Sequence, residues 1–414
     1  MTTKTHDNDR AILRELAGKV AEIAHEPVQE ERKRLWRQLN GLRPERPLVL
    51  IDQVCWHEMD VDGELALRCE DAECRAYETH LRRTLYQCRH FPVDRVVEPR
   101  LRVPMAVKIS DLGPSIREQV AVTDPDNPVV SHAYVNQFES DEDLEKIRMP
   151  TVRHDAVETA RRLEKAHELF DGVLEVTAYG VDPYLSVWDP ISMWMGAENA
   201  LLALAERPDF MRALAARMVS AYHALLDQLE HQHLLCDGQP LIHCTGAWTD
   251  DLPAPGFDPR KPRTRDLWMF GLAQMFASAS PEMFEEFEIN LCLPIFERFG
   301  LVYYGCCDPL DRNMAAVKRI PNVRKVSMSP WADEERGARE IGSEYVFSRK
   351  PNPALLATEL FSEEGVRKHL RTTVDICRRY GCPLELILKD ISTVRRDPRR
   401  LWKWADIAMD IVRA

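Results

Sequence analysis

The sequence predicts an α/β fold, a (β/α)8 barrel preceded by an α-helical amino-terminal extension. Strand-like apolar stretches alternate with helix-period stretches roughly eight times between residues 96 and 414, about the length such a barrel needs. No Gly-x-Gly-x-x-Gly or Gly-x-x-x-x-Gly-Lys phosphate loop follows any of these strands, which favours the barrel over an open doubly wound sheet. The 414 residues, 45% of them hydrophobic, also suffice for one large core with additions.

Residues 1–95 read as the extension. Apolar residues at Ile12, Leu13, Leu16, Val20 and Ile23 recur at helical spacing, and a second helix follows Pro27. Pro47 to Val54 is strand-like, and Ala72 to Cys88 reads as a further helix. This layer is expected to cover one barrel end or to make a dimer contact. From Val96 to Asp111, alternation at Leu101, Val103, Met105, Val107 and Ile109 predicts the first barrel strand.

Strands are then expected at Val173–Ala178, Pro240–Cys244, within Leu267–Phe276, and at Leu301–Gly305, Val323–Val326, Tyr345–Phe347 and Leu384–Leu388, with helices between them. The helix Pro281–Phe299 is announced by a Ser280 cap, a proline at its first position and Glu282 in its first turn. Pro253, Pro255, Pro259 and Pro262 make Asp250–Arg265 a long loop.

A net charge of −12 disfavours nucleic acid and anionic membranes as partners. No apolar run approaches the roughly 18–20 residues of a membrane span, and the amino terminus lacks the apolar core of a secretory signal, so a cytoplasmic protein acting on a small molecule is expected. The eleven scattered cysteines read as reduced thiols.

Chemistry concentrates where strands are expected to end. Cys306 and Cys307 close Gly300–Gly305, adjacent to Asp308, and read as metal ligands, a reactive thiol or plain core residues. Lys389 and Asp390 follow the apolar Leu384–Leu388, where a buried charge must be partnered or used. Lys350 and Asn352 sit in a proline-flanked turn, and Trp248, Thr249, Asp250 and Asp251 head the long loop, where they are expected to reach substrate over the barrel mouth. His243 and Cys244 resemble a metal half-site, but a histidine in an apolar strand is more often a core residue; Trp402 and Trp404 read as helix packing.

The succession Ser280-Pro-Glu-Met-Phe-Glu-Glu-Phe, Tyr304-Gly-Cys-Cys-Asp-Pro-Leu, Val323-Arg-Lys-Val-Ser-Met-Ser and Phe347-Ser-Arg-Lys-Pro-Asn-Pro-Ala resembles the uroporphyrinogen decarboxylase superfamily, which includes zinc-dependent, corrinoid-linked methyltransferases. The resemblance spans about Asp171 to Ala414 and implies the barrel. The arginine-rich loop of the decarboxylases is absent. The methyltransferase branch carries His-x-Cys where this chain has Gly305-Cys306-Cys307, and a further cysteine where it has Lys389-Asp390. The resemblance therefore implies methyl transfer with a zinc-activated thiolate, Cys307 as the retained ligand facing the mouth, Cys306 or Asp308 as substitutes, and a corrinoid on a partner protein. Lys389, Asp390 and Asp250 are the candidate catalytic groups; Trp248, Thr249, Asp251, Lys350 and Asn352 are the candidate substrate contacts. A decarboxylase of a small acid and a non-catalytic ligand-binding barrel are the alternatives. Regular strand alternation points only one of the two thiols inward, whereas a turn at Gly305 would let both converge.

Overall fold

The computed structural model describes residues 2–122 and 130–414. Its centre is a parallel sheet of seven strands: β1 (Leu48–Ile51), β2 (Tyr184–Leu185), β3 (Trp268–Gly271), β4 (Leu301–Tyr304), β5 (Val323–Met328), β6 (Val346–Arg349) and β7 (Leu384–Leu388). Their order is β1-β7-β6-β5-β4-β3-β2, so from β2 to β7 each strand lies beside its successor, and β1 returns to pair with β7. Among the described residues no ladder joins β1 to β2, and the sheet is not a closed barrel.

Strands β3 to β7 fall where the sequence places them. The other three expected strands do not enter this sheet. Arg100–Pro104 pairs in parallel with Glu175–Tyr179, forming a separate two-stranded sheet. Pro240–Cys244 contributes only one arm of a tight hairpin, Leu241–Ile242 against Thr245–Gly246. In their place the sheet takes β1, from the stretch read as extension, and the two-residue β2.

The sheet is buried on both faces, as parallel sheets are. Val302, Tyr304, Val326, Met328, Leu386 and Leu388 lie in the larger apolar core. Trp268, Phe270, Leu301 and Tyr303 face the other way, against Ile242 of the hairpin. Gly246 of that hairpin lies flat against the Trp36 ring, where an added Cβ would stand 2.4 Å from a ring carbon.

The hairpin also satisfies a buried charge. Lys325, fully buried on β5, donates to Glu385 Oε2 at 2.8 Å, Thr245 Oγ1 at 2.9 Å and the Gly246 carbonyl at 3.0 Å. Three N–H groups meet three acceptors, with the Trp36 ring 5.0 Å from the ammonium. One level nearer the carboxyl ends of the strands, Lys350 donates to Tyr303 Oη at 2.5 Å and Ser348 Oγ at 2.6 Å, and burial brings its pKa down to about 8.

The helix expected at Pro281–Phe299 runs from Pro281 to Phe296 and contains a π-turn at Glu285–Ile289. That turn carries Glu288, a wholly buried carboxyl that accepts from Tyr304 Oη at 3.0 Å and Cys292 Sγ at 3.4 Å. Burial raises its pKa to about 8.

Removing one partner of the Lys325–Glu385 pair leaves a charge buried without compensation. Glu385→Ala is expected to lower stability by about 3–5 kcal/mol in urea unfolding, with Lys325→Met/Glu385→Leu recovering most of the loss. A single variant as stable as the parent would show that the pair is not held as described.

Candidate active site

Parallel α/β sheets gather chemistry beyond the carboxyl ends of their strands, and here three chain segments meet at that end. Gly305 leaves β4 with φ +92, a conformation open to glycine, and a Cβ there would stand 2.4 Å from Leu310 Cδ1. This turn breaks strand alternation, so Cys306 and Cys307 do not point to opposite faces. Their sulfurs are 3.6 Å apart. Of the two geometries left open by the sequence, the turn at Gly305 with converging thiols is the one present.

From β7 comes Lys389, 3% exposed, whose ammonium lies 2.9 Å from Cys306 Sγ, 3.0 Å from His243 Nε2 and 3.3 Å from Asp390 Oδ2. These are three donors for three acceptors, the pattern of Lys325 repeated. Since an ammonium only donates, His243 Nε2 accepts, which places the imidazole proton on Nδ1. The ring is further fixed by stacking on Phe270, with centroids 4.1 Å apart and planes 8° from parallel.

His243 and Asp390 both adopt left-handed backbone, φ +52 and +56. Such positions cost roughly 1–3 kcal/mol each for residues other than glycine and cluster where side chains must be aimed.

The electrostatics follow from this geometry. A hydrogen bond from Cys307 and the Lys389 charge hold the Cys306 thiol well below the ordinary thiol range against the opposing effect of burial. Cys307 moves the other way, because it hydrogen-bonds its ionised neighbour and is partly buried, with Asp390 Oδ2 3.6 Å from its sulfur. One proton is thus retained by the pair, on Cys307. Burial lowers the Lys389 pKa, but several opposing contributions, the Cys306 charge foremost, together outweigh it and the net shift is upward.

Asp308 lies behind this turn, 2% exposed, with neither carboxyl oxygen hydrogen-bonded. Burial, helped by the Cys306 charge, lifts its pKa to about 7, so near neutrality a large fraction carries a proton. Along the rim, Tyr184 donates to Asp189 Oδ2 at 3.2 Å, and burial raises the Asp189 pKa.

Other residues singled out in the sequence lie elsewhere. Asp251 pairs with Arg324 at 2.7 Å and Asp250 with Arg37 at 3.5 Å, both at the amino ends of the strands, opposite the thiols. Thr249 Oγ1 accepts from the Asp251 amide, and Trp248 stacks under Lys33. The long loop therefore does not overhang the thiol site, contrary to expectation. Asn352 Oδ1 accepts from the Ala354 amide, and Lys350 faces Tyr303 within the sheet interior. His243, assigned to the core from sequence, is part of the site.

The zinc that the sequence resemblance implies sets a geometric requirement for these donors. Ligands of a tetrahedral zinc stand about 3.8 Å apart for two sulfurs and about 3.5 Å for sulfur and nitrogen; the sulfurs here are 3.6 Å apart, and Cys306 Sγ and His243 Nε2 3.5 Å. Yet Lys389 already binds both Cys306 and His243. A dication some 4 Å from its ammonium would be opposed by roughly 8 kcal/mol at an effective dielectric constant of about 20. Among the described residues no group of three or more His, Cys, Asp or Glu side chains is placed to hold a metal ion. The residues as arranged do not fit a metal.

No family model matches the chain. No curated protein matches it either. Among solved structures it is similar to a methyltransferase from Methanosarcina mazei, with 13% identity over 92% of this chain and 98% of the other, and a TM-score of 0.48. At that similarity the site must be read from its own residues.

Two measurements check the electrostatics. An ordinary thiol loses roughly 75-fold in alkylation rate between pH 8 and pH 6, whereas Cys306 is expected to react with iodoacetamide at a nearly constant rate, with the steep dependence returning in Lys389→Ala. Equally steep profiles in both would sink the assignment of the thiolate to Cys306. The raised pKa of Asp308 means that the native state loses stability as pH climbs from about 4, its unfolded value, to about 7. Asp308→Asn should accordingly raise the melting temperature at pH 8 and lose that advantage toward pH 4; a pH-independent difference would contradict it.

Proposed function

We propose that this chain is an enzyme of methyl transfer whose nucleophile is the Cys306 thiolate. The observation that carries the proposal is the 2.9 Å contact between Cys306 Sγ and the buried Lys389 ammonium at the carboxyl end of a parallel sheet. A thiolate kept ionised at neutral pH and oriented on a rigid strand end is a strong nucleophile toward saturated carbon.

The sulfur attacks the methyl carbon, the S–C bond forms, and the leaving group departs with the bonding pair of the broken bond. When an acceptor nucleophile later attacks the same methyl, the acceptor–carbon bond forms, the S–C bond breaks, and its bonding pair returns to sulfur to restore the thiolate beside Lys389. Asp390, half exposed next to Lys389, borders the open side of the site.

In this reading the seven-stranded sheet is an incomplete (β/α)8 barrel lacking one strand and its two ladders, the chain is a distant member of the uroporphyrinogen decarboxylase superfamily, and a corrinoid carrier protein delivers or removes the methyl group. No helix among the described residues is long and apolar enough to cross a membrane. All eleven cysteines are free, as a cytoplasmic setting would keep them.

Methylcobalamin with a small thiol acceptor is the probe that tests the proposal. Demethylation should be accelerated by the parent chain and fall by about 100-fold or more in Cys306→Ser, since a serine hydroxyl stays protonated where the thiol ionises. A methylated Cys306 peptide should appear when the acceptor is omitted. An undiminished rate in Cys306→Ser would refute the role given to this sulfur.

A further inference from the structure

We infer that the chain holds a second ligand site, for a small carboxylate with an apolar body, in a cavity beside the open edge of β1, with Arg95 as the group that meets the anion. The inference goes beyond the methyl-transfer reading and uses none of the thiol-site residues.

The cavity follows from the topology. β1 pairs with β7 on one side, and among the described residues no strand lies along its other edge. The chain that leaves the helix Ala72–His90 covers that edge instead. There the Asp94 N–H donates to the Val49 carbonyl at 2.9 Å, and Arg95 Nη2 donates to the Ile51 carbonyl at 3.3 Å. Such a covering satisfies backbone groups but packs less tightly than a paired strand, and a cavity of about 170 Å³ remains beside it. Its apolar wall is made by Leu50, Leu81, Leu101 and Leu174, with the Trp36 and Trp248 rings.

The charge of the cavity is one-sided. Arg95, Arg100 and Arg102 line it against a single carboxylate, Glu98. Arg100 is paired with Glu175 at 2.9 Å and Arg102 with Glu98 at 2.6 Å. Arg95 has no carboxylate partner among the described residues, and of its five N–H groups the one hydrogen-bonded is engaged by a carbonyl at the long end of the range. A guanidinium held this way can take a carboxylate through two parallel N–H···O bonds while the leucines and tryptophans receive the rest of the molecule. Volume sets the size of that molecule. Sites for drug-sized ligands run from about 300 to 1,000 Å³, so the occupant is of the order of a benzoate or a short-chain fatty acid, and a nucleotide is too large.

The probe is 4-fluorobenzoate, followed by fluorine NMR line width as the full chain is added. Saturable broadening is expected with the parent chain. Arg95→Met keeps the length and apolar stem of the side chain and should raise the dissociation constant about 10-fold or more, the loss expected for a charge-assisted contact. The neutral analogue 4-fluorobenzyl alcohol should bind the parent chain weaker than the carboxylate by a similar factor. Circular dichroism confirms folding, and Thr84→Trp, which fills the cavity from the helix side, replaces Arg95→Met if that variant does not fold. Lys389 is a second cation that could hold the probe, and a carboxylate seated there would shield Cys306, so the alkylation rate of Cys306 by iodoacetamide should be the same with and without saturating 4-fluorobenzoate.

Absence of saturable binding to the parent chain, equal affinity for the alcohol, or undiminished affinity in a folded Arg95→Met or Thr84→Trp chain would each overturn the inference. Protection of Cys306 by the probe would place the anion at the thiol site and overturn it as well. Failure of the methylcobalamin assay, in contrast, bears on the reaction alone and leaves the carboxylate site as it is.

Discussion

A single buried ammonium sets the terms for everything around it. Lys389 is 3% exposed at the end of an apolar strand, where an unpaired charge would be prohibitively unstable. It persists because each of its three N–H groups has an acceptor, and every one of those acceptors is altered by the contact. Cys306 is held ionised, His243 is confined to one tautomer, and Asp390 is held in left-handed backbone beside it. Lys350, whose acceptors are two hydroxyls and a carbonyl at 3.5 Å with no anion among them, shows the contrast, since burial brings its pKa down to about 8.

The scaffold delivers these groups from points far apart in sequence. Cys306 and Lys389 follow β4 and β7, which are separated in the sheet by β5 and β6, and His243 is carried in on a hairpin that packs across the face between them. Lys325 anchors that hairpin from below through Thr245 and Gly246, so the buried pair with Glu385 fixes the height at which His243 meets Lys389. Behind β4, the π-turn that brings Glu288 to Tyr304 secures the same strand end from the helix side. Rigid support on both faces suits a site whose charges must be pre-aimed.

How much of this the sequence discloses depends on which physical signal each element leaves. β4 is an unbroken apolar run, and β5 to β7 are short, mainly apolar or β-branched stretches bounded by turn residues, the pattern that identifies buried strands. Alternation in Arg100–Pro104 is equally clear, but it reports one buried face and says nothing of the partner, which is Glu175–Tyr179 and not the main sheet. β2, two residues long, leaves no periodic signal at all, and β1 is local in pattern but long-range in pairing. Sequence places the long loop over the thiols because Pro240–Cys244 reads as a through-going strand. The chain instead reverses at His243 and Cys244, and the loop beyond the hairpin is carried to the opposite end of the sheet. The same reversal brings His243 into the site, and positive φ in a histidine cannot be read from a lone sequence.

The paired thiols show why position at a strand end is informative and strand parity is not. Parity holds only while the backbone stays extended, and Gly305 ends that regime one residue before the first sulfur. Both thiols then converge, but convergence does not make them equal. A second thiolate 3.6 Å from the first, and as near to the Asp390 carboxylate, would place three negative charges around one ammonium. The pair therefore keeps one proton, and it keeps it on the sulfur farther from Lys389's direct reach. Cys307 is left as a donor that steadies Cys306, and the asymmetry that regular strand geometry would impose is set instead by the charge of Lys389.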